Sequence, residues 1–383
     1  MRTEKYSLLS VLLLAGALSL IGCGSSTESK ADVMEREVQQ SVMPKDSADL
    51  DYSVGSDTAL QESSQSSVAP PLSTEAKTID YKGSIPVDWL TASADVIYLG
   101  SKDQSGGSGI LKMRPGEADG EVLPVTAPSE MVFSVMTTDE KGNLYAVLED
   151  KDIEMEMRGE EFAFPTKHCE VWRISPSGEV TAKLDISEYI KKEVFSPHMI
   201  AVAGNGDIYL STQTEGTAVL AFDAEGNFLN KMSYDYTVYT LRTAIGRGRD
   251  GKVYAILWVY DAPGTSVIVE LDGRGGRIGD TTSFILHNNG GCYSWVCPGR
   301  DCDLVIFGVE GVLGYDLGSA SVKWKVPAVE LPFNIEGYFP MATLADGRVL
   351  FLERNIEYDE ADPTNMWYAA EGTKFHYISA AQQ

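Results

Sequence analysis

From about residue 78 the chain reads as short runs of alternating apolar and polar residues, broken by turns rich in Gly, Asp and Asn. Alternation with period two predicts half-buried β-strands, and Asp/Asn-Gly turn residues supply the positive φ of a tight hairpin. The pattern recurs. Ala94-Asp95-Val96-Ile97-Tyr98, Gly142-Asn143-Leu144-Tyr145-Ala146, Gly206-Asp207-Ile208-Tyr209-Leu210 and Gly251-Lys252-Val253-Tyr254-Ala255 share one form, continued by Cys302-Asp303-Leu304-Val305-Ile306 and Gly347-Arg348-Val349-Leu350-Phe351. From anchor to anchor the intervals are 48, 64, 45, 51 and 45 residues, the length of a four-stranded propeller blade.

A second hairpin signature follows in most repeats, as in Val171-Trp172-Arg173-Ile174 with Ser177-Gly178, or Val219-Leu220-Ala221-Phe222 with Asp223-Ala224-Glu225-Gly226. Two hairpins per repeat fit an all-β propeller, whose ring leaves only short edges. Six four-stranded blades are expected, over 86–127, 128–185, 194–232, 238–282, 289–327 and 336–383. Seven or eight fit if the end segments are degenerate. The strand Thr78–Val87 is expected to complete the last sheet, and the long interval to hold an insertion over Asp150–Phe164.

Residues 1–77 read differently. Arg2 and Lys5 precede an apolar run, Leu8–Leu20, that is shorter than the roughly 20 residues of a spanning helix and suits a signal-peptide core. It ends in Leu20-Ile21-Gly22-Cys23. The expectation is a signal peptide over 1–22, a lipidated (palmitate-bearing) Cys23, and an acidic linker to residue 77 too poor in apolar residues to fold. As a coil that linker would span about 40 Å. The domain at 78–383 would then sit lipid-anchored on the extracytoplasmic face of the cell membrane.

A formal charge of −25 repels nucleic acid and anionic lipid surfaces. Beyond Cys23 the cysteines are Cys169, Cys292, Cys297 and Cys302, at no zinc-binding spacing. Cys297 and Cys302 could close a hairpin as a disulfide, or serve as small buried residues. The four histidines, His168, His198, His287 and His376, show no metal-ligand spacing, and no nucleophile signature is present. Neither a cofactor nor a catalytic residue is expected, and the turn aspartates read as caps of their own backbone.

The repeat yields one sharper inference. Positions eight or nine residues before each anchor begin the innermost strands and gather at one mouth of the channel: Phe133, His198, Arg242, Tyr293 and Tyr338, with neighbours Ser134, Thr243, Ser294 and Phe339. Such side chains suit a small molecule, glycan or protein loop; the alternative is that the aromatics wedge between blades. The six tryptophans, Trp89, Trp172, Trp258, Trp295, Trp324 and Trp367, read as core.

The lipobox, the Ser-rich linker and runs such as DEKGNLYAVLE, VWRISPSGEV, GNGDIYLS and LAFDAEGNF are similar to Firmicutes lipoproteins in which a propeller precedes an extracellular solute-binding domain. The resemblance implies the lipid site at Cys23, the propeller fold and a link to solute uptake, although this sequence lacks the solute-binding domain after Gln383. Together these readings make the chain a non-catalytic extracellular binding module. The alternative is an exported propeller hydrolase or lactonase with a divalent metal in the channel.

Overall fold

The computed structural model describes residues 73–381, apart from 103–107, 154–155, 159–160, 164, 194–195, 213–217, 234–243, 259–264, 274–282, 288–292, 309, 335–338 and 359–365. The signal segment, Cys23 and most of the acidic linker lie outside the described residues.

Among the described residues, twenty-six strands form six four-stranded antiparallel sheets and one small hairpin. The first blade is β2 (Trp89–Ser93), β3 (Val96–Lys102), β4 (Ser108–Met113) and β5 (Glu121–Val122). The second is β6 (Met131–Thr138), β7 (Leu144–Asp150), β10 (Cys169–Ile174) and β11 (Val180–Asp185), with hairpin β8 (Glu156–Arg158) and β9 (Glu161–Ala163) inserted after β7. The third holds β12 (Met199–Val202), β13 (Ile208–Thr212), β14 (Ala218–Phe222) and β15 (Phe228–Ser233). Blade four holds β16 (Ala244–Arg247), β17 (Val253–Trp258), β18 (Thr265–Leu271) and β19 (Ser283–His287); blade five holds β20 (Tyr293–Pro298), β21 (Leu304–Gly308), β22 (Gly311–Asp316) and β23 (Ser321–Pro327).

The sixth blade joins the two ends of the described chain. Its order is β24 (Met341–Thr343), β25 (Val349–Tyr358), β26 (Met366–Ala381) and then β1 (Ser73–Asp80) outermost. The first strand pairs antiparallel with the last, from Ser73↔Ala381 to Asp80↔Lys374. The six innermost strands touch in cyclic order, β2–β6–β12–β16–β20–β24 and back to β2. The chain is therefore a six-bladed β-propeller.

Two sequence expectations shift. The closing strand begins at Ser73 rather than Thr78, because Ser-Thr-Glu-Ala-Lys has little apolar signal and is set by backbone pairing alone. The fourth blade runs beyond 282, since its outer strand is Ser283–His287. Hairpin β8–β9 fills the expected insertion without disturbing the blade around it.

Burial follows strand position. The second strand of blade two, β7, is buried at every residue but the last, as a central strand covered on both faces must be. The outer strand β11 alternates half-buried with exposed. Aromatic side chains interlock within and between blades: Phe133 meets Trp172 edge-on at 5.9 Å inside blade two, and Phe307 of blade five meets Phe351 of blade six at 4.9 Å. A separate apolar cluster, including Tyr81, Leu90, Leu99, Leu350, Leu352 and Phe375, packs the junction between blades one and six. That junction is built entirely from the two ends of the described chain.

Turn chemistry explains the repeat anchors. Asp139 Oδ1 accepts the N–H groups of Lys141 and Asn143 at 2.9 and 2.8 Å, and Gly142 takes φ 81° between them. Asp250 and Asp346 cap their turns likewise, accepting from Lys252 N at 3.1 Å and Arg348 N at 3.0 Å. Blade one instead turns in two residues, Ala94 and Asp95, with Ala94 at φ 50°.

Candidate functional site

The antiparallel blades give the ring two unlike faces. Connections from first to second strand hold two to five residues, all on one face, here called the turn face. Connections between blades, and from second to third strands, lie on the other, the loop face. These reach thirteen residues between β23 and β24 and eighteen between β7 and β10. Loops on a rigid scaffold are the usual carriers of recognition.

The turn face is stapled. Gly204 N–H donates to Gly251 O at 2.7 Å, Arg249 N–H to Asp303 O at 3.0 Å, and Ala345 N–H to Ala94 O at 3.3 Å, each linking one blade to the next. Arg249 adds an ion pair to Asp303 at 3.0 Å, and Arg300 donates to Asp346 O at 2.8 Å. Two further contacts join blades that are not neighbours. At the turn end Arg247 of blade four pairs with Glu140 of blade two at 3.6 Å; its burial pulls the guanidinium below its ordinary pKa. Toward the loop end Trp89 of blade one meets Trp295 of blade five, ring centroids 4.9 Å apart. The central axis is thus bridged at both levels.

Buried polar side chains concentrate beneath the loop face: Asp88, Ser101, Glu149, Glu193, Ser211 and Thr212 are all buried at loop-face ends of strands or in the connections there. Desolvating such groups costs free energy unless partners compensate. Glu193 shows the compensation, accepting Lys231 Nζ at 2.8 Å and Thr212 Oγ1 at 3.4 Å. On the rim of blade two, Asp150 accepts from the backbone N–H groups of Lys167 and His168, at 2.6 and 2.9 Å, and contacts His168 Nδ1 at 2.8 Å. Glu130, Asp150, Asp152, Pro165 and Lys167 line an open, strongly polar concavity beside this pair.

Of the residues expected at the channel mouth, the side chains of Phe133 and His198 are described. Phe133 is 1% exposed and packs within blade two against Trp172. His198 is half-buried at the start of β12, with Nε2 3.3 Å from Ser211 Oγ. Phe339, the neighbour of Tyr338, packs on Phe333 at 4.7 Å. Tyr293 begins β20, but its side chain lies outside the described residues, as do Arg242 and Tyr338 altogether.

Cys297 and Cys302 are not joined. Cys297 Sγ donates to Met341 O at 3.3 Å and Cys302 Sγ to Leu304 O at 3.3 Å, and burial pushes each thiol up to about 12. The turn separates the two because Cys302 points into the core while Cys297 faces the neighbouring inner strand. Among the described residues no group of three or more His, Cys, Asp or Glu side chains is placed to hold a metal ion. None of the described helices is long and apolar enough to cross a membrane.

Sequence reasoning missed the Trp89–Trp295 contact and its polar neighbours. Arg354 donates Nη1 to Asp88 O at 3.3 Å and to Tyr368 Oη at 3.2 Å, with its guanidinium 4.8 Å from the Tyr368 ring centre. These residues sit at different offsets in their repeats, so no periodicity could have grouped them.

No family model matches the chain, and no curated protein matches it in sequence. Solved structures do resemble it. A protein of unknown function from Dyadobacter fermentans superposes with a TM-score of 0.52 at 12% identity, covering 80% of this chain and 98% of its own. Weaker likenesses are a gluconolactonase from Xanthomonas campestris, TM-score 0.47 at 12% identity over 82% and 93% of the two chains, and a protein of unknown function from Bacteroides caccae, TM-score 0.41 at 13% identity over 64% and 83%. At 12% identity the likeness to the first speaks for the fold alone, the β-propeller that the six four-stranded sheets define.

Proposed function

We propose that this chain is a lipid-anchored, extracytoplasmic propeller that acts as a binding module, presenting its loop face to a small molecule, glycan or protein partner. The observation that carries the reading is the asymmetry of the two faces: one stapled by short turns, the other bearing long connections over buried polar groups. The anchor is assigned to Cys23 from its sequence context. The chain enters the ring at Ser73, which pairs with Ala381 at the turn-face end. The described chain thus begins on the face opposite the long loops. In the finer form of this reading the module serves a solute-uptake system.

Two measurements test it. Cells expressing the chain incorporate labelled palmitate, and Cys23→Ala abolishes the label and releases the protein; unchanged labelling overturns the anchor. A thermal-shift screen of the full chain carrying Cys23→Ala, against sugars, peptides and divalent metals with a chelator control, detects the ligand. A ligand at 100 times its dissociation constant adds about 2.7 kcal/mol. Turnover of a lactone or glycoside by the purified protein would instead make it a hydrolase.

A further inference from the structure

The outer strands of the six blades are not protected alike. In blades two, three and five the outer strand carries one extra residue, Thr181, Leu229 and Lys323, at the register shift in its pairing. Such bulges twist an edge away from incoming strands. Blade one has an outer strand of two residues and blade four one of five; short edges offer little to pair with. Blade six differs. Its outer strand β1 pairs eight residues with β26 in unbroken register and contains neither proline nor glycine. Glu75, Ala76, Lys77 and Thr78 are all exposed, so neither face of this stretch is covered. Among the described residues no strand pairs with its outer edge. Every second residue of β1 therefore turns its N–H and C=O outward, ready for a further strand.

We propose that β1 is a self-association edge, at which two copies of this chain join by antiparallel pairing of Ser73–Asp80 about a two-fold axis at Ala76. The charges of the strand select both the occupant and the register. Glu75 and Lys77 share one face of the strand, both exposed, and neither makes an ion pair with another described residue. A lone lysine on an edge opposes strand addition, because an incoming strand leaves its charge unanswered. In β1 the answering charge lies two residues away. With Ala76 opposite Ala76 of the second copy, each Glu75 faces the other copy's Lys77, Thr74 faces Thr78, and Ser73 faces Ile79. Opposite charges directly across a strand pair attract, and like charges repel. A slip of one residue sets Glu75 against Ala76 or Thr78 and loses both pairs. A slip of two, or parallel pairing in register, sets like charge on like. Of these alignments only the two-fold antiparallel one satisfies both charges, and an interface of that symmetry closes as a dimer. Because β1 is outermost in its blade, pairing there leaves the long connections of the loop face uncovered.

The test uses the full chain carrying Cys23→Ala, followed by sedimentation velocity over a concentration series. The expected result is a monomer–dimer equilibrium, weakened about tenfold or more by Glu75→Lys alone and by Lys77→Glu alone, since each reversal turns two attractive pairs into two repulsive ones. Mixing the two variants restores dimers to the parent level, because each then supplies the charge that the other lacks. Both positions are exposed, so the variants melt within a few degrees of the parent. Independently of charge, Ala76→Cys gives a covalent dimer on mild oxidation and Asp80→Cys does not. A parent that stays monomeric up to its solubility limit overturns the proposal. So does a dimer that tolerates both reversals, that mixing fails to restore, or that does not cross-link through position 76. None of these outcomes touches the loop face, so the binding-module reading stands or falls separately.

Discussion

Thr78, on the first described strand, donates its hydroxyl to His376 Nδ1 on the last at 3.0 Å, and the other ring nitrogen of His376 donates to Glu353 at 2.8 Å. The carboxylate can only accept, which fixes the tautomer. A buried imidazole thus ties the closing strand to the two strands inside it.

Closure by β1 makes stability depend on residues that look like linker. A chain starting at Lys82 is expected to lose eight paired residues and to melt well below one starting at Ala69, with faster proteolysis. Differential scanning calorimetry of the two checks this; equal melting temperatures would show that the five-and-three-quarter-bladed ring is self-sufficient.

His376 gives the ring a pH dependence. Burial lowers its pKa below the ordinary 6.5, outweighing the upward pull of Glu353. The folded state therefore holds it neutral while the unfolded chain takes up a proton near 6.5. Its contribution is complete above about 6.5 and is lost as pH falls toward the folded value. Urea midpoints between pH 7.5 and 5 should fall for the wild type and fall less for His376→Gln; parallel curves exclude the effect.

Trp89 is buried against Trp295, with its N–H committed to Met136 O. Trp89→Ala leaves a cavity on the axis and an unpaired carbonyl, and is expected to cost about 3–5 kcal/mol in denaturant unfolding. A loss under about 1 kcal/mol would mean the axis is not packed as described.

Ala94 and Ala320 adopt φ 50° and 49°, in turns where other blades place glycine. A left-handed non-glycine residue costs roughly 1–2 kcal/mol, partly offset by the entropy glycine loses on folding. Ala94→Gly and Ala320→Gly should each stabilise the protein by about 0.5–1 kcal/mol, read from the denaturation midpoint. A destabilising outcome at either position would show that the methyl group packs usefully.

The thiols of Cys297 and Cys302 each bond a carbonyl and resist ionisation. Alkylation should be slow in native protein, and in denaturant without reductant it should label both residues by peptide mass. Failure to label either would reveal a disulfide.

The sequence by itself determined the repeat, because each turn must supply positive φ and each central strand must be apolar on both faces. Those are local demands, legible at Asp139-Lys141-Gly142-Asn143 and in Leu144–Leu148. Blade number followed from counting them. Phe133 obeys the repeat in sequence, yet it is buried against Trp172 of its own sheet, because what covers a strand's face depends on strands distant in the chain. Closure of the last sheet by an N-terminal strand was legible in the sequence, but its extent, Ser73–Asp80, was decided by backbone pairing with residues some 300 positions away. Only tertiary structure could bring Trp89 to Trp295 and Arg354 to Asp88, since the cyclic arrangement makes neighbours of residues whose separation in the chain carries no period.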